Sequence, residues 1–242
     1  MNEKVRLQKY LAQCGLGSRR TCESYIEKGR IKVDDVTIKE QGTQIDPNIQ
    51  TIKFDEMIVT PKQKIWIFLN KPPEYICSSK DPKKRKTFLD LLPKEIERVF
   101  CIGRLDYMSE GLLIITNDGD AANKIIHPRY EIKKIYEVTT YEPLTKKQME
   151  HMEQGIKLKE EILKVMKIKK NNMKNQHYCY EIILTEGKTR HIRRMLAELN
   201  IHIVSLKRTQ IGPILLGSIN PGEWRYATKK ELQKIEKHVK SS

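Results

Sequence analysis

Apolar residues recur along the chain in different rhythms, and the change of rhythm divides it in two. In RLQKYLAQ, Leu7 and Leu11 fall on one helical face together with Tyr10. Gly15 and Gly17 end that segment. Ser18 then occupies the N-cap position of a second helix, SRRTCESYIEKG, with Gly29 as its C-terminal stop. RIKVDDVTIKEQG alternates and turns at Asp34-Asp35, and TIKFDEMIV supplies another strand pair. Two helices and short hairpins over residues 1–60 make a small unit, too small to be the whole chain.

A polar connector, TPKQK at 60–64, leads into a second unit spanning 61–242. It opens with the apolar run IWIFLNKPP, stopped by Pro72-Pro73. Further strands are expected at VFCIG, GLLIITND, KKIYEVTT, HYCYEIILT and HIVSLKRTQI, with helices near 118–126, 145–154, 188–199 and 228–237. Strands outnumber helices and several are apolar throughout. The pattern predicts an α+β fold with a mixed, mainly antiparallel central sheet.

Charge changes the picture. The 242 residues carry 46 Lys and Arg against 31 Asp and Glu, a net charge of +15. An excess of that size repels itself in a compact fold, so a polyanionic partner is expected. Nucleic acid is the commonest, and its binding would fall steeply with salt. The loop SSKDPKKRK alone holds five basic residues between Lys80 and Lys86. No run of about 18 apolar residues is present to span a bilayer. The N-terminus MNEKVRLQKYLAQ lacks the apolar core of a signal peptide, so a cytoplasmic protein is expected. The five cysteines are scattered with no CxxC pair, and the six histidines form no HxxxH or HExxH pattern, so neither a disulfide framework nor a metal site is predicted.

Four segments carry candidate chemistry, each with a plainer reading beside it. GRLDYMSEGLLIITNDGD (103–120) places Arg104, Asp106, Ser109 and Glu110 on a polar loop ahead of a buried-looking strand, where catalytic side chains tend to sit. Asp106 could equally make a turn or pair with Arg104. In EGKTRHIRRMLAELN (186–200), Ile192, Met195, Leu196 and Leu199 form a core face. Arg190 and Arg194 share another face, with Arg193 one position round. They form either a solvated charge face or a cluster for phosphate and a buried carboxylate. Cations at a helix N-terminus oppose the helix dipole, which tilts the balance toward an arriving anion. In KKIYEVTT, Lys134 and Tyr136 share one side of the strand and Ile135 faces the other. That tyrosine stacks on a base or is an ordinary sheet aromatic. Arg19 and Arg20, with Lys28 and Arg30, make either a solvated helix face or, given the net charge, an RNA footprint.

Together these segments resemble known families. RLQKYLAQCGLGSRRTCESYIEKGRIKVD is similar to the alpha-L RNA-binding motif of a ribosomal small-subunit protein. NKPPEYICSS, GRLDYMSEGLLIITNDGD, KKIYEV, EGKTRHIRRML and IGPILLGSINPGEWR occur in the order of the ribosomal pseudouridine synthases of the RsuA/RluB/RluF type, over about residues 5 to 236. The resemblance implies a pseudouridine synthase-like sheet core beside a small N-terminal RNA-binding domain, acting as a monomer without metal or cofactor. It implies Asp106 as the catalytic aspartate, Tyr136 as the ring against the target base and Arg193 as the partner of the aspartate. Arg104 would lie on the same loop, with Lys134 and Arg190 as nearby basic contacts. ESYIEKGRIKVD, ANKIIHPRYEIKKIYEV and YEIILTEGKTRHIRRML look closest to the large-subunit-specific branch. The sequence departs from the family pattern at Glu74, where Gly commonly stands, and at His191, where Gln is usual.

The chemistry is consistent with those roles. A uridine must leave its stack before its glycosidic bond is reachable, and an arginine on the loop could fill the vacated space. A detached base must rotate and rejoin through carbon, which a flat tyrosine face permits. A carboxylate serves either as nucleophile on the sugar or as base at its 2′ carbon, aimed by a neighbouring guanidinium. The expected activity is isomerisation of one uridine in ribosomal RNA, large-subunit RNA by preference. The same reaction on small-subunit RNA and a noncatalytic RNA-binding assembly factor are the alternatives. A DNA-binding regulator has little support, since no recognition-helix pair is evident.

Overall fold

The helix Leu7–Gln13 buries Leu7, Tyr10 and Leu11, and the helix Arg19–Glu27 adds Cys22 and Ile26, one turn apart on its inner face. In the computed structural model, which describes residues 4–241, these side chains close over Ile31, Val33, Ile45 and Ile52. Ser18 caps the second helix, its hydroxyl accepting the Thr21 N–H at 3.0 Å. The strands Ile31–Val33, Val36–Ile38, Ile52–Phe54 and Met57–Ile58 form an antiparallel sheet. Its two hairpins turn at Asp34-Asp35 (φ 47° and 65°) and Asp55-Glu56 (φ 45° and 68°). Two central residues with positive φ are the mark of the type I′ turn, whose twist matches that of the flanking strands.

The chain divides into two compact units. The first is Met1–Ile65 with Glu95–Val99 and Asn117–Gly119, and the second holds the remainder. Two short returns of the chain therefore join the first unit, which a linear pattern of apolar residues does not signal.

The second unit is built on a nine-stranded sheet. Its main path runs Lys167–Lys170, Tyr178–Leu184, Lys134–Thr140, Ile203–Ile211, Glu110–Thr116, Trp66–Lys71 and Trp224–Tyr226. Pairing is antiparallel except where Ile203–Ile211 runs parallel to Glu110–Thr116 through Lys207↔Glu110 and Arg208↔Gly111. The short strand Phe100–Ile102 pairs with the far end of Glu110–Thr116, Ile102 opposite Ile114. One edge of Glu110–Thr116 is thus shared between two neighbours, and the loop 103–109 leaves the sheet where they part. This is the mixed, mainly antiparallel α+β core that the strand pattern predicts.

Tyr136, Val138, Tyr180 and Ile182 pack with Met195 and Leu196 of helix His191–Glu198 and with Met152 of helix Lys146–Gln154. A second cluster joins Phe68, Leu112 and Ile114 to Ala122, Ile125 and Ile235. Five strands went unforeseen in this unit, at Ile156–Leu158, Glu161–Leu163, Lys167–Lys170, Ile214–Leu215 and Trp224–Tyr226. They are two to four residues long, too short for an alternating pattern to stand out. The helix expected from 188 starts at His191, because Arg190 adopts a left-handed conformation (φ 51°) at its N-cap. Among the described residues no helix is long and apolar enough to cross a membrane.

Candidate active site

Gly103 to Ser109 form a loop anchored at both ends by the sheet. Ser109 N–H donates to the Asp106 carbonyl at 3.0 Å, and Leu105 is buried beneath the turn. The side chain of Asp106 is left on the open side, where the loop borders a cleft of about 890 Å³. Asp106, Tyr136, Lys134, Arg104, Arg190 and Arg208 all line it. The cleft therefore collects residues from a loop, two neighbouring strands and the turn before helix His191–Glu198.

Arg193 reaches the loop from that helix. Its Nη2 donates to the Met108 carbonyl at 2.8 Å and to Ser109 Oγ at 3.1 Å, and its Nε lies 3.3 Å from the same hydroxyl. Its Nε stands 3.7 Å from Asp106 Oδ2. That is an ion pair without a hydrogen bond, since N–H···O bonds lie at about 2.7–3.2 Å. Burial pulls the Arg193 pKa down, and the Asp106 carboxylate opposes the shift. Ser109, which the sequence places on the polar loop beside Asp106, is only 1% exposed and is oriented by the guanidinium.

Tyr136 is 8% exposed and belongs to both the core and the cleft wall, in register with Ile182 on one neighbour and Arg208 on the other. Lys134, on the same side of the strand, donates to the Ile132 and Thr185 carbonyls at 3.2 and 3.3 Å. Burial pushes its pKa down to about 8, helped by the nearby charge of Arg208.

The other expected basic residues separate into two kinds. Arg104 and Arg190 are exposed at the cleft. Arg194 turns to Glu161, with Nη1 2.5 Å from Oε1. Helical spacing grouped Arg194 with Arg190, and the structure separates them because the hairpin Ile156–Leu163 carries an acidic partner to that side. In the first unit Arg19 and Arg20 are exposed. Arg30 instead pairs with Asp55 and lies over the rings of Tyr25 and Phe54, 4.8 and 4.4 Å from their centroids.

Arg208 is the residue the sequence reading missed. It is 2% exposed, lines the cleft, and donates from Nε to the Leu112 carbonyl at 2.9 Å and from Nη1 to the Arg104 carbonyl at 3.4 Å. It thus braces the candidate loop from both flanks. A period-2 reading of SLKRTQI, which puts Arg208 on the face of buried Leu206, was the available signal. Its neighbour Gly111 has φ 103°, and a Cβ there would stand 2.2 Å from the Arg208 carbonyl oxygen. Glu74 holds φ 66°, the backbone shape that explains why Gly suits that position, and its N–H donates to the Tyr107 carbonyl at 2.8 Å.

The model of the RNA pseudouridylate synthase family matches residues 65–198, and that of the S4 domain matches residues 5–48. The chain belongs to the RNA pseudouridine synthase family. An RNA pseudouridine synthase of Aquifex aeolicus, itself uncharacterised, is 38% identical over 98% of this chain and 95% of its own. The ribosomal large subunit pseudouridine synthase B of Bacillus subtilis is 33% identical over 95% of each. A crystal structure of a pseudouridylate synthase superposes with a TM-score of 0.67 at 27% identity, covering 96% of this chain and 99% of that one. This pseudouridine synthase accordingly pairs an isomerase core with an RNA-binding S4 domain, and RNA is its substrate.

Proposed function

We propose that this synthase isomerises one uridine of large-subunit ribosomal RNA to pseudouridine, with Asp106 as the group that reacts. The observation that carries the site assignment is the Asp106 carboxylate. Among the described residues it faces Arg193 at 3.7 Å and accepts no hydrogen bond, while bordering the same cleft as Tyr136. An unbonded carboxylate keeps its lone pairs for chemistry, and the neighbouring guanidinium keeps it aimed.

A flipped uridine would lie against Tyr136 with its sugar toward Asp106. The carboxylate then either attacks the sugar at the glycosidic carbon or removes the proton at its 2′ carbon. The base turns on the tyrosine face and rejoins through carbon. Exposed Arg104, on the same loop, takes the space the uridine leaves. Arg190 and Lys134 serve the approaching backbone, with Arg194 on the outer side of the same helix. Arg19, Arg20 and Arg30 belong to the footprint of the first unit, and the net charge of +15 favours such a polyanion. The large-subunit assignment draws on the Bacillus relative's activity. A monomer working in the cytoplasm, where ribosomes are assembled, completes the proposal.

Carbodiimide primer extension on ribosomal RNA from a strain lacking the gene tests it. One stop in large-subunit RNA should vanish, return with the wild-type gene and stay absent with Asp106→Asn. A stop lost from small-subunit RNA would move the substrate to that particle. An unchanged pattern of stops would favour the noncatalytic assembly role.

A further inference from the structure

The floor of the cleft is charged, and part of that charge has no partner. Arg208 stands in register with Tyr136 on one side and with Gly111 on the other. Residues directly opposite one another share a face of the sheet. Arg208 and Tyr136 both line the cleft, and both are buried. Nε and Nη1 of the guanidinium are taken by the Leu112 and Arg104 carbonyls. Nη2 is closed to solvent and has no hydrogen-bond partner among the described residues. Buried polar groups are as a rule bonded, so an orphaned donor at a cleft wall points to a ligand atom that completes the set. Lys71, which pairs with Gly111 from the far side, is a second buried cation in the same row. It gives its ammonium to the Pro72 and Tyr75 carbonyls. Neither Arg208 nor Lys71 forms an ion pair among the described residues, and Asp106 faces Arg193 instead. Positive charge shut away without a counter-charge is unfavourable, and an arriving anion offsets it.

We propose that Arg208 is a catalytic residue of this synthase: its Nη2 donates to a carbonyl oxygen of the detached uracil and balances the negative charge that the base carries while it turns on Tyr136. This rests on the isomerase reading above and adds the group that holds the base. By either route given to Asp106, breaking the bond from N1 to the sugar carbon C1′ leaves the electron pair on the base. Conjugation spreads that charge onto the two carbonyl oxygens, O2 and O4. The base then makes a half turn about the line through N3 and C6, which exchanges N1 with C5 and the O2 carbonyl with the O4 carbonyl. A donor fixed at one carbonyl position therefore meets one oxygen before the turn and the other after it. The bond from C5 to C1′ forms with the base's own electrons. C5 then gives up its proton and N1 takes one, so the isomer needs no co-reactant. The Nη1 contact to the Arg104 carbonyl is long, at 3.4 Å, and leaves the guanidinium tip free to turn toward a base held on the ring.

The test is a single turnover with the full chain in saturating excess. The substrate is an RNA fragment carrying the uridine that primer extension maps, made with uridine or with 5-fluorouridine at that position. Loss of the original nucleotide is read by nuclease digestion and mass spectrometry. Fluorine at C5 withdraws electrons, so the departing base is a more stable anion and depends less on a neighbouring cation. Arg208→Gln should slow consumption of uridine by about 10²- to 10³-fold, the effect of losing one preorganised donor, and its penalty on 5-fluorouridine should be about tenfold smaller. Arg208→Lys keeps the charge without the fork and should lie between. It carries the same comparison should Arg208→Gln fail to fold. Equal penalties on the two nucleotides overturn the proposal, since a mere brace for the loop slows both alike. A wild type that consumes neither nucleotide overturns the isomerase reading and this role with it, so the two failures are told apart.

Discussion

Arg193 spends its hydrogen bonds on the Met108 carbonyl and the Ser109 hydroxyl, and meets Asp106 only through charge at 3.7 Å. The guanidinium therefore fixes the loop by its fork and orients the carboxylate by its field. Separating those two functions makes the site testable one group at a time.

Asp106→Asn keeps the shape of the loop and removes the charge. The expected result is a loss of kcat of about 10²- to 10⁴-fold, the range a positioned acid or base contributes. RNA affinity at matched salt should stay within a few-fold, as filter binding would show. Full activity in this variant would exclude Asp106 from the chemistry.

Arg193→Lys retains a charge but not a fork. Its ammonium cannot serve Met108, Ser109 and Asp106 together, so the loop should shift and kcat fall on the order of 10²-fold, the effect of misplacing a reacting group by about 1 Å. Ser109→Ala should fall between this variant and wild type in single-turnover assays, since it leaves the Met108 contact in place.

Gly111→Ala tests the close approach of two strands. The added methyl meets the Arg208 backbone at 2.2 to 2.9 Å, at a φ of 103° that L residues avoid. Overpacking and backbone strain together should cost about 3 kcal/mol or more. A lowered thermal midpoint with disturbed amide signals along Ile203–Ile211 would register it.

Glu231 caps the helix Lys229–Ser241 and forks with Arg225. Its carboxylate accepts Arg225 at 2.7 and 2.8 Å and the Thr228 N–H at 2.8 Å. Arg225 foremost holds its pKa down at about 2, against an ordinary 4.5. A depressed carboxyl adds stability above the unfolded pKa and loses it as pH falls through the folded one. Glu231→Gln should cost about 1.5 kcal/mol at pH 7. The two proteins should converge in urea midpoint as pH drops from about 4.5 toward 2.

Lys134 gives the opposite slope. Buried, it loses its proton near pH 8, whereas an unfolded lysine keeps it to about 10.5. Between these values the unfolded chain binds more protons, so this group makes stability rise with pH. Lys71, fully buried and lowered to about 8, acts in the same sense. The raised Cys14 and Cys22 thiols act alike in both proteins and cancel, so between pH 8 and 9 the urea midpoint of wild type relative to Lys134→Met should rise with pH.

Much of the fold was legible in the residues. Glycines and Ser18 marked the first two helices. The Asp34-Asp35 turn was visible as a polar break between alternating strands, and the strand with LLIIT showed by its unbroken apolar run. The hairpin Ile156–Leu163 was not, because GIKLKEEIL interleaves charge with apolar residues over strands of three. That omission also concealed the acidic partner that takes Arg194 away from the cleft.

By itself the sequence determined most of the elements, the order of the motifs and, through its resemblance, an aspartate, a tyrosine and an arginine as candidates for the site. Periodicity encodes which face of an element turns inward, because 3.6- and 2-residue repeats are local. What lies opposite that face is a matter of sheet order. Only the tertiary structure decided that Ile203–Ile211 runs between Lys134–Thr140 and Glu110–Thr116, which buries Arg208 behind Asp106's loop and presses its backbone on Gly111. Those contacts join residues about a hundred positions apart, and no short-range pattern along the chain specifies them.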